Sequence, residues 1–135
     1  MSKFIIAYAA TAAVMVTLDM LWLGVIAKSF YQQGIGQLMA ERPNIPAAVL
    51  FYALFAVGLM YFAVAPNGSA VNWEKTLVAA ALFGFFSYAT FDLTNLAILK
   101  HWPTGLSVID MAWGTLVSTA AAAAGKVALD RIAAG

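Results

Sequence analysis

Three of the six acidic residues stand inside long apolar runs: Asp19 in "TLDMLWLGV", Asp92 in "YATFDLTNLAI" and Asp110 in "VIDMAWGTL". Asp19 has no Lys or Arg within eight residues on either side. Carboxylates in such surroundings are expensive, about 2.5–3.5 kcal/mol each if they face lipid, so the chemistry open to them is that of a protected interior. Three acids within reach of one another and without a cation cannot all ionise. They share protons or bind a cation, and they titrate as one coupled unit. A protonated Asp beside an ionised one also has the makings of a general acid and base, with Asp92 the candidate acid and Asp19 its partner. The Asp-Met-x-Trp pattern occurs twice, as Asp19 with Trp22 and as Asp110 with Trp113. At a spacing of three, each indole lies one turn from its acid on the same helical face. That permits reciprocal Asp–Trp hydrogen bonds about a local two-fold axis, or a ligand slot walled by two indoles.

The elements that must position these residues follow from composition. Of 135 residues, 64% are hydrophobic and only 10% charged, against about a quarter charged in a soluble domain. Mean hydropathy is +0.87. So little polar surface does not cover a water-soluble globule, and the bilayer is the solvent that fits. Four spans are expected, at about residues 4–27, 46–65, 76–99 and 106–129, each long enough to cross a hydrocarbon core of about 30 Å. In lipid the backbone must satisfy itself within each segment, so the spans are helices. The expectation is an all-α, four-transmembrane-helix bundle forming a single integral membrane domain over residues 1–135. The N-terminal apolar run is too long for a signal peptide and is read as the first span.

The connections constrain the bundle further. Residues 28–45 are mixed, with Phe30 and Tyr31 placed as interfacial aromatics, and part of this loop is expected to lie along the membrane surface as a short helix. Pro46 suits the first turn of the second span. "KHWPTG" at 100–105 is so short that the third and fourth spans must be antiparallel neighbours. With this topology the three acids fall roughly 6–14 Å below one face of the membrane. Helical spacing puts Gly84, Tyr88, Asp92 and Asn95 on one face of the third span. It puts Tyr8, Met15, Asp19 and Trp22 together on the first span, and Ser107, Asp110, Gly114 and Ser118 on the fourth. The second span offers only Tyr52 and Tyr61 as polar handles and closes the bundle. The candidate ligand-binding set is Asp19, Trp22, Tyr88, Asp92, Asn95, Asp110 and Trp113.

Each residue also has a structural reading. Ser107-x-x-Asp110 has the outline of a helix capping box. Asp92 suits a hydrogen-bond network with Thr94 and Asn95, and Asp19 suits a single bond to an indole across the bundle. Gly114, Ser118, Ala122 and Gly125 suit close helix packing. Basic residues divide four against three, with Lys3, Lys75, Lys126 and Arg131 on the N-terminal side and Lys28, Arg42 and Lys100 opposite. This slight bias places both termini in the cytoplasm. Zero cysteines and one histidine argue against zinc and against any disulfide framework; no metal residues are assigned, while a hard cation held by oxygen ligands stays open. The scattered basic residues form no nucleic-acid patch.

"LDMLWLG" at 18–24, "YATFDLTNLAILKHWP" at 88–103 and "IDMAWGT" at 109–115 resemble the pattern of a family of small bacterial membrane proteins, domain of unknown function 2177. The resemblance spans nearly the whole chain and is most specific at Phe-Asp-Leu-Thr-Asn. It implies a four-helix protein of the bacterial inner membrane and supports the choice of acids, but it supplies no substrate or cofactor. Small multidrug transporters and sterol-isomerase-like membrane proteins are similar at the level of fold alone, since their diagnostic motifs are absent.

Three functions remain open. In the first the protein binds or transports a small lipophilic or cationic ligand, linked to protons, with Trp22, Trp113 and Tyr88 as apolar walls; transport through so few helices calls for a homo-oligomer. In the second it is an intramembrane enzyme acting on a lipid or isoprenoid. In the third it is a structural or assembly subunit whose acids fix helix register or meet a partner's basic residue.

Overall fold

The computed structural model describes residues 2–67 and 73–134. Every regular element among them is helical, and they include no strand. Helix α1 (Ser2–Leu21) continues through a π-helical turn, Trp22–Ile26. After one residue, Ala27, the chain starts α2 (Lys28–Ile35). Helix α3 (Ile45–Leu59) likewise runs into a π turn, Met60–Val64. Helices α4 (Trp73–Ile98) and α5 (Thr104–Ala134) complete the chain. Four segments are long and apolar enough to cross a membrane: Ser2–Ile26, Ile45–Asn67, Trp73–Ile98 and Thr104–Ile132.

Local chemistry accounts for several boundaries. The Asn44 side chain accepts a hydrogen bond from the Ala47 amide at 3.1 Å, capping α3 while Pro46 occupies its first turn. The turn between α4 and α5 requires a left-handed residue, and His101 takes that conformation at φ 61°. For a non-glycine this costs about 1–2 kcal/mol. Trp102 offsets it by burying its ring against Phe91, with centroids 5.8 Å apart, and by donating its indole N–H to Ser107 Oγ at 2.9 Å. Ser107 in turn donates to the Pro103 carbonyl at 3.1 Å. The capping box expected from Ser107 and Asp110 therefore does not form. Helix α5 begins at Thr104, Ser107 is spent on the turn, and Asp110 points to another partner.

Small residues set the interhelical distances. A side chain added at Gly84 would collide with Ser118 and with the Gly114 carbonyl, so α4 and α5 meet nearly backbone to backbone. Gly114 receives the ring of Tyr88, and Gly125 receives Thr11 of α1. Helix α5 thus packs along both α1 and α4. Span two meets α4 closely through its π turn at 60–64, and the two helices part toward Phe51 and Phe91. Outward faces carry large apolar side chains, among them Val25 at 71% and Ile98 at 77% exposed. In water that surface would be a liability, and in lipid it is ordinary.

Lys126, counted in the sequence with the basic residues of the N-terminal side, is fully buried. Its ammonium donates to the Asn67 carbonyl at 3.0 Å, pairs with Asp130 at 3.0 Å and lies 5.4 Å from the centre of the Trp73 ring. A buried lysine needs such partners, and these bind the ends of spans two and three to α5.

Candidate functional site

Asp19 and Asp110 reach the same cavity from α1 and α5, but through separate hydrogen-bonded arms. Asp19 accepts the Trp113 indole N–H on Oδ1 at 2.7 Å and the Tyr52 hydroxyl on Oδ2. Asp110 accepts the Tyr31 hydroxyl on Oδ1 at 2.6 Å, and Tyr31 accepts the Trp22 indole N–H at 3.1 Å. The two indoles join the arms: Trp22 and Trp113 are stacked, centroids 4.4 Å apart and planes within 5° of parallel. The repeated Asp-Met-x-Trp pattern thus gives a near-symmetric arrangement. One Asp–Trp bond across the bundle is direct, and the other passes through Tyr31.

The chain reversal at Ala27 makes the indirect arm. Ala27 donates its amide to the Trp22 carbonyl at 2.7 Å, closing the π turn, and its carbonyl accepts from the Tyr31 amide at 3.1 Å as α2 starts. Helix α2 then returns over the end of the bundle. Tyr31 is buried with Ala27, Trp102 and Leu106, rather than lying in the interface as its position in the loop suggested. Burial, and after it the bond to Asp110, pushes its hydroxyl above the ordinary tyrosine range, so it stays a protonated donor.

Asp92 is fully buried on α4. Neither of its oxygens receives an N–H or O–H donor. The Thr94 hydroxyl is bonded to carbonyls of its own helix instead, so it does not supply the expected network. The polar group beside Asp92 is the Asp110 carboxyl. Two carboxylates only accept, so that contact becomes a hydrogen bond when one of them carries a proton. The expected trio of acids therefore divides into an Asp92–Asp110 pair and a separate, buried Asp19 with a donor on each oxygen. Among the described residues no group of three His, Cys, Asp or Glu side chains is arranged to hold a metal ion.

The cavity has a volume of about 410 Å³, within the range of small-ligand sites. Asp19, Asp110 and Ser87 are its polar residues apart from the tyrosines, and Tyr52, Tyr88, Trp113, Phe51, Phe55, Phe91 and Leu23 form the rest of the wall. Tyr88 is held in place by Gly114 behind it and by Phe55 edge-on at 6.1 Å. Phe51 and Phe91, where α3 and α4 part, are 41% and 55% exposed. Together with Leu23, 41% exposed, these rings bring the edge of the cavity to the apolar outer surface.

Of the seven residues singled out in the sequence, Asp19, Tyr88, Asp110 and Trp113 line this cavity. Trp22 backs Trp113, Asp92 backs Asp110, and Asn95 lies outside the wall. Tyr31 and Tyr52, the hydroxyls that hold the two acids, were not in that set. Their role depends on the reversal at Ala27 and on the placement of α3, and neither leaves a local sequence signal. Phe51, Phe55 and Phe91 look in sequence like any lipid-facing aromatic.

A family model described as "Predicted membrane protein (DUF2177)" matches residues 4–127, and the chain belongs to that family. No curated protein and no solved structure matches.

Proposed function

Proceeding from that membership, we propose that the protein binds a small lipophilic or cationic ligand from the bilayer, in the cavity between Asp19 and Asp110, as a binding or transport protein. The membrane is the bacterial inner membrane, with both termini cytoplasmic. One observation carries the reading. Two carboxylates line an aromatic cavity whose edge, at Leu23, Phe51 and Phe91, reaches the apolar outer surface. Trp113, Tyr52 and Tyr31 offset part of the cost of burying the two acids, but a purely structural role for them does not call for a cavity of this volume around them. Aromatic faces with carboxylates behind them suit ligands that are apolar over most of their surface and carry a positive charge or hydrogen-bond donors at one end. The alternative of an intramembrane enzyme with Asp92 as acid has less support, because Asp92 is absent from the cavity wall.

The test is binding to the protein in lipid nanodiscs, with tetraphenylphosphonium and its neutral relative triphenylphosphine oxide as probes. Ser87 lines the cavity while its hydroxyl bonds only the Phe83 carbonyl of its own helix, at 2.7 Å. Ser87→Phe therefore fills the cavity without touching either acid. Saturable binding of at least one probe is expected, weakened about tenfold or more by Ser87→Phe, equivalent to about 1.4 kcal/mol. Binding that Ser87→Phe leaves unchanged in a folded variant, or no saturable binding of either probe, would sink the reading.

A further inference from the structure

The Asp92–Asp110 pair has a consequence for what the cavity accepts. Asp92 is fully buried, without a donor to either oxygen, and its polar neighbour is a second carboxyl. The titratable groups around the pair are Tyr31 on α2, which donates to Asp110, and, around the cavity, Asp19 on α1, Tyr52 on α3 and Tyr88 on α4. Lys28, Arg42, Lys100 and His101, the basic residues toward this end of the bundle, are exposed. Two adjacent buried carboxylates with no cation do not both ionise. Asp92 lies inside and Asp110 at the cavity wall, and a single proton between them would turn their contact into a hydrogen bond.

We infer that the cavity takes a lipophilic organic monocation in exchange for the one proton shared by Asp92 and Asp110. The inference rests on the binding reading above and narrows its ligand. When the cation settles against Asp110 the shared proton leaves by that residue to bulk water, and both carboxylates are then ionised beside one positive charge. The buried net charge is the same before and after, so the exchange avoids adding an uncompensated charge to the low-dielectric interior. The ligand needs no N–H of its own. Both Asp19 oxygens already hold a donor, so Asp19 contributes mainly its field, and the walls of Trp113, Tyr88 and Phe55 offer ring faces to a diffuse charge. Asp92 touches no ligand. It is a positioning residue that stores the proton.

The experiment titrates tetraphenylphosphonium into the protein in zwitterionic nanodiscs, weakly buffered near neutral pH, with an indicator dye reporting protons. One proton released per bound cation is expected, with affinity falling as pH is lowered because protons compete for the pair. Triphenylphosphine oxide should release none. In Asp92→Asn the amide donates permanently to Asp110, so cation binding should persist without proton release and without pH dependence; a purely packing role for Asp92 would change neither. Cation binding to the wild-type protein with no proton released, or undiminished release from Asp92→Asn, overturns the exchange while leaving the cavity reading intact. If neither probe binds, both fall. The wild-type stoichiometry alone decides the matter should Asp92→Asn fail to fold.

Discussion

Tyr31 shows how much a single hydroxyl holds together at this site. It accepts from Trp22 and donates to Asp110, so it ties the loop helix, the first span and the fourth. Hydrogen bonds to a charged group are worth about 1.5–3 kcal/mol, and Tyr31→Phe should lower stability by about that much in detergent melts. The pH sign is fixed as well. The native hydroxyl holds its proton more tightly than an unfolded tyrosine, whose pKa is about 10. This contribution is complete below that pH and is lost as pH rises past it, because the unfolded chain releases its proton first. Melting between pH 8 and 11 should show a steeper alkaline decline for the wild-type protein than for Tyr31→Phe; parallel curves would contradict the buried, Asp110-bonded hydroxyl. Residue types alone made Asp19, Asp110, Trp22 and Trp113 legible, since an acid in an apolar run announces its cost and the paired indoles repeat. The same reasoning put Asp92 among the ligands, because helical spacing gives a face but not what stands in front of it. Asp110 stands there.

The element scale is where the sequence was most readable. Hydropathy over about 20 residues is a local property, and four spans follow from it with little help from tertiary structure. The stripe of Gly114, Ser118, Ala122 and Gly125 was likewise open to reading as a packing face, and α5 does pack through it on both sides. Gly84→Ala should therefore force α4 away from α5, since the new methyl meets Ser118 and the Gly114 backbone. A loss of about 1–3 kcal/mol is expected for such overpacking. Gly105→Ala, with open space around it in the first turn of α5, should be neutral or slightly stabilising. Thermal melts of the two variants in the same detergent check the contrast, and equal effects would contradict the close approach. The π turns were not legible. They insert a residue's worth of rotation at Trp22 and Met60, and no composition signal marks them. Yet the first of them delivers the chain to the reversal at Ala27, and so places Tyr31 beneath the bundle's end.

For the whole molecule, the surrounding lipid explains both the exterior and the site. The outward faces are apolar enough to need a bilayer, and the exposed cavity residues Leu23, Phe51 and Phe91 belong to those faces. On the proposed binding function, a ligand that partitions into lipid would meet Phe51 and Phe91 before the more buried carboxylates. Charge is arranged oppositely at the two ends. The Lys126 end carries a buried cation with its partners, and the cavity end carries acids without a basic mate. This asymmetry could not be read from counts of Lys and Arg on each side, which treated Lys126 as one more charge on the N-terminal side. The measurement that bears most directly on the cavity's purpose is the affinity for tetraphenylphosphonium before and after Asp19→Asn, in zwitterionic nanodiscs. An asparagine there can still accept from Trp113 and donate to Tyr52, so the fold should hold while the negative field is lost. A drop of about tenfold or more at unchanged melting temperature is predicted; an affinity that does not move would contradict the claim that these buried acids serve a ligand.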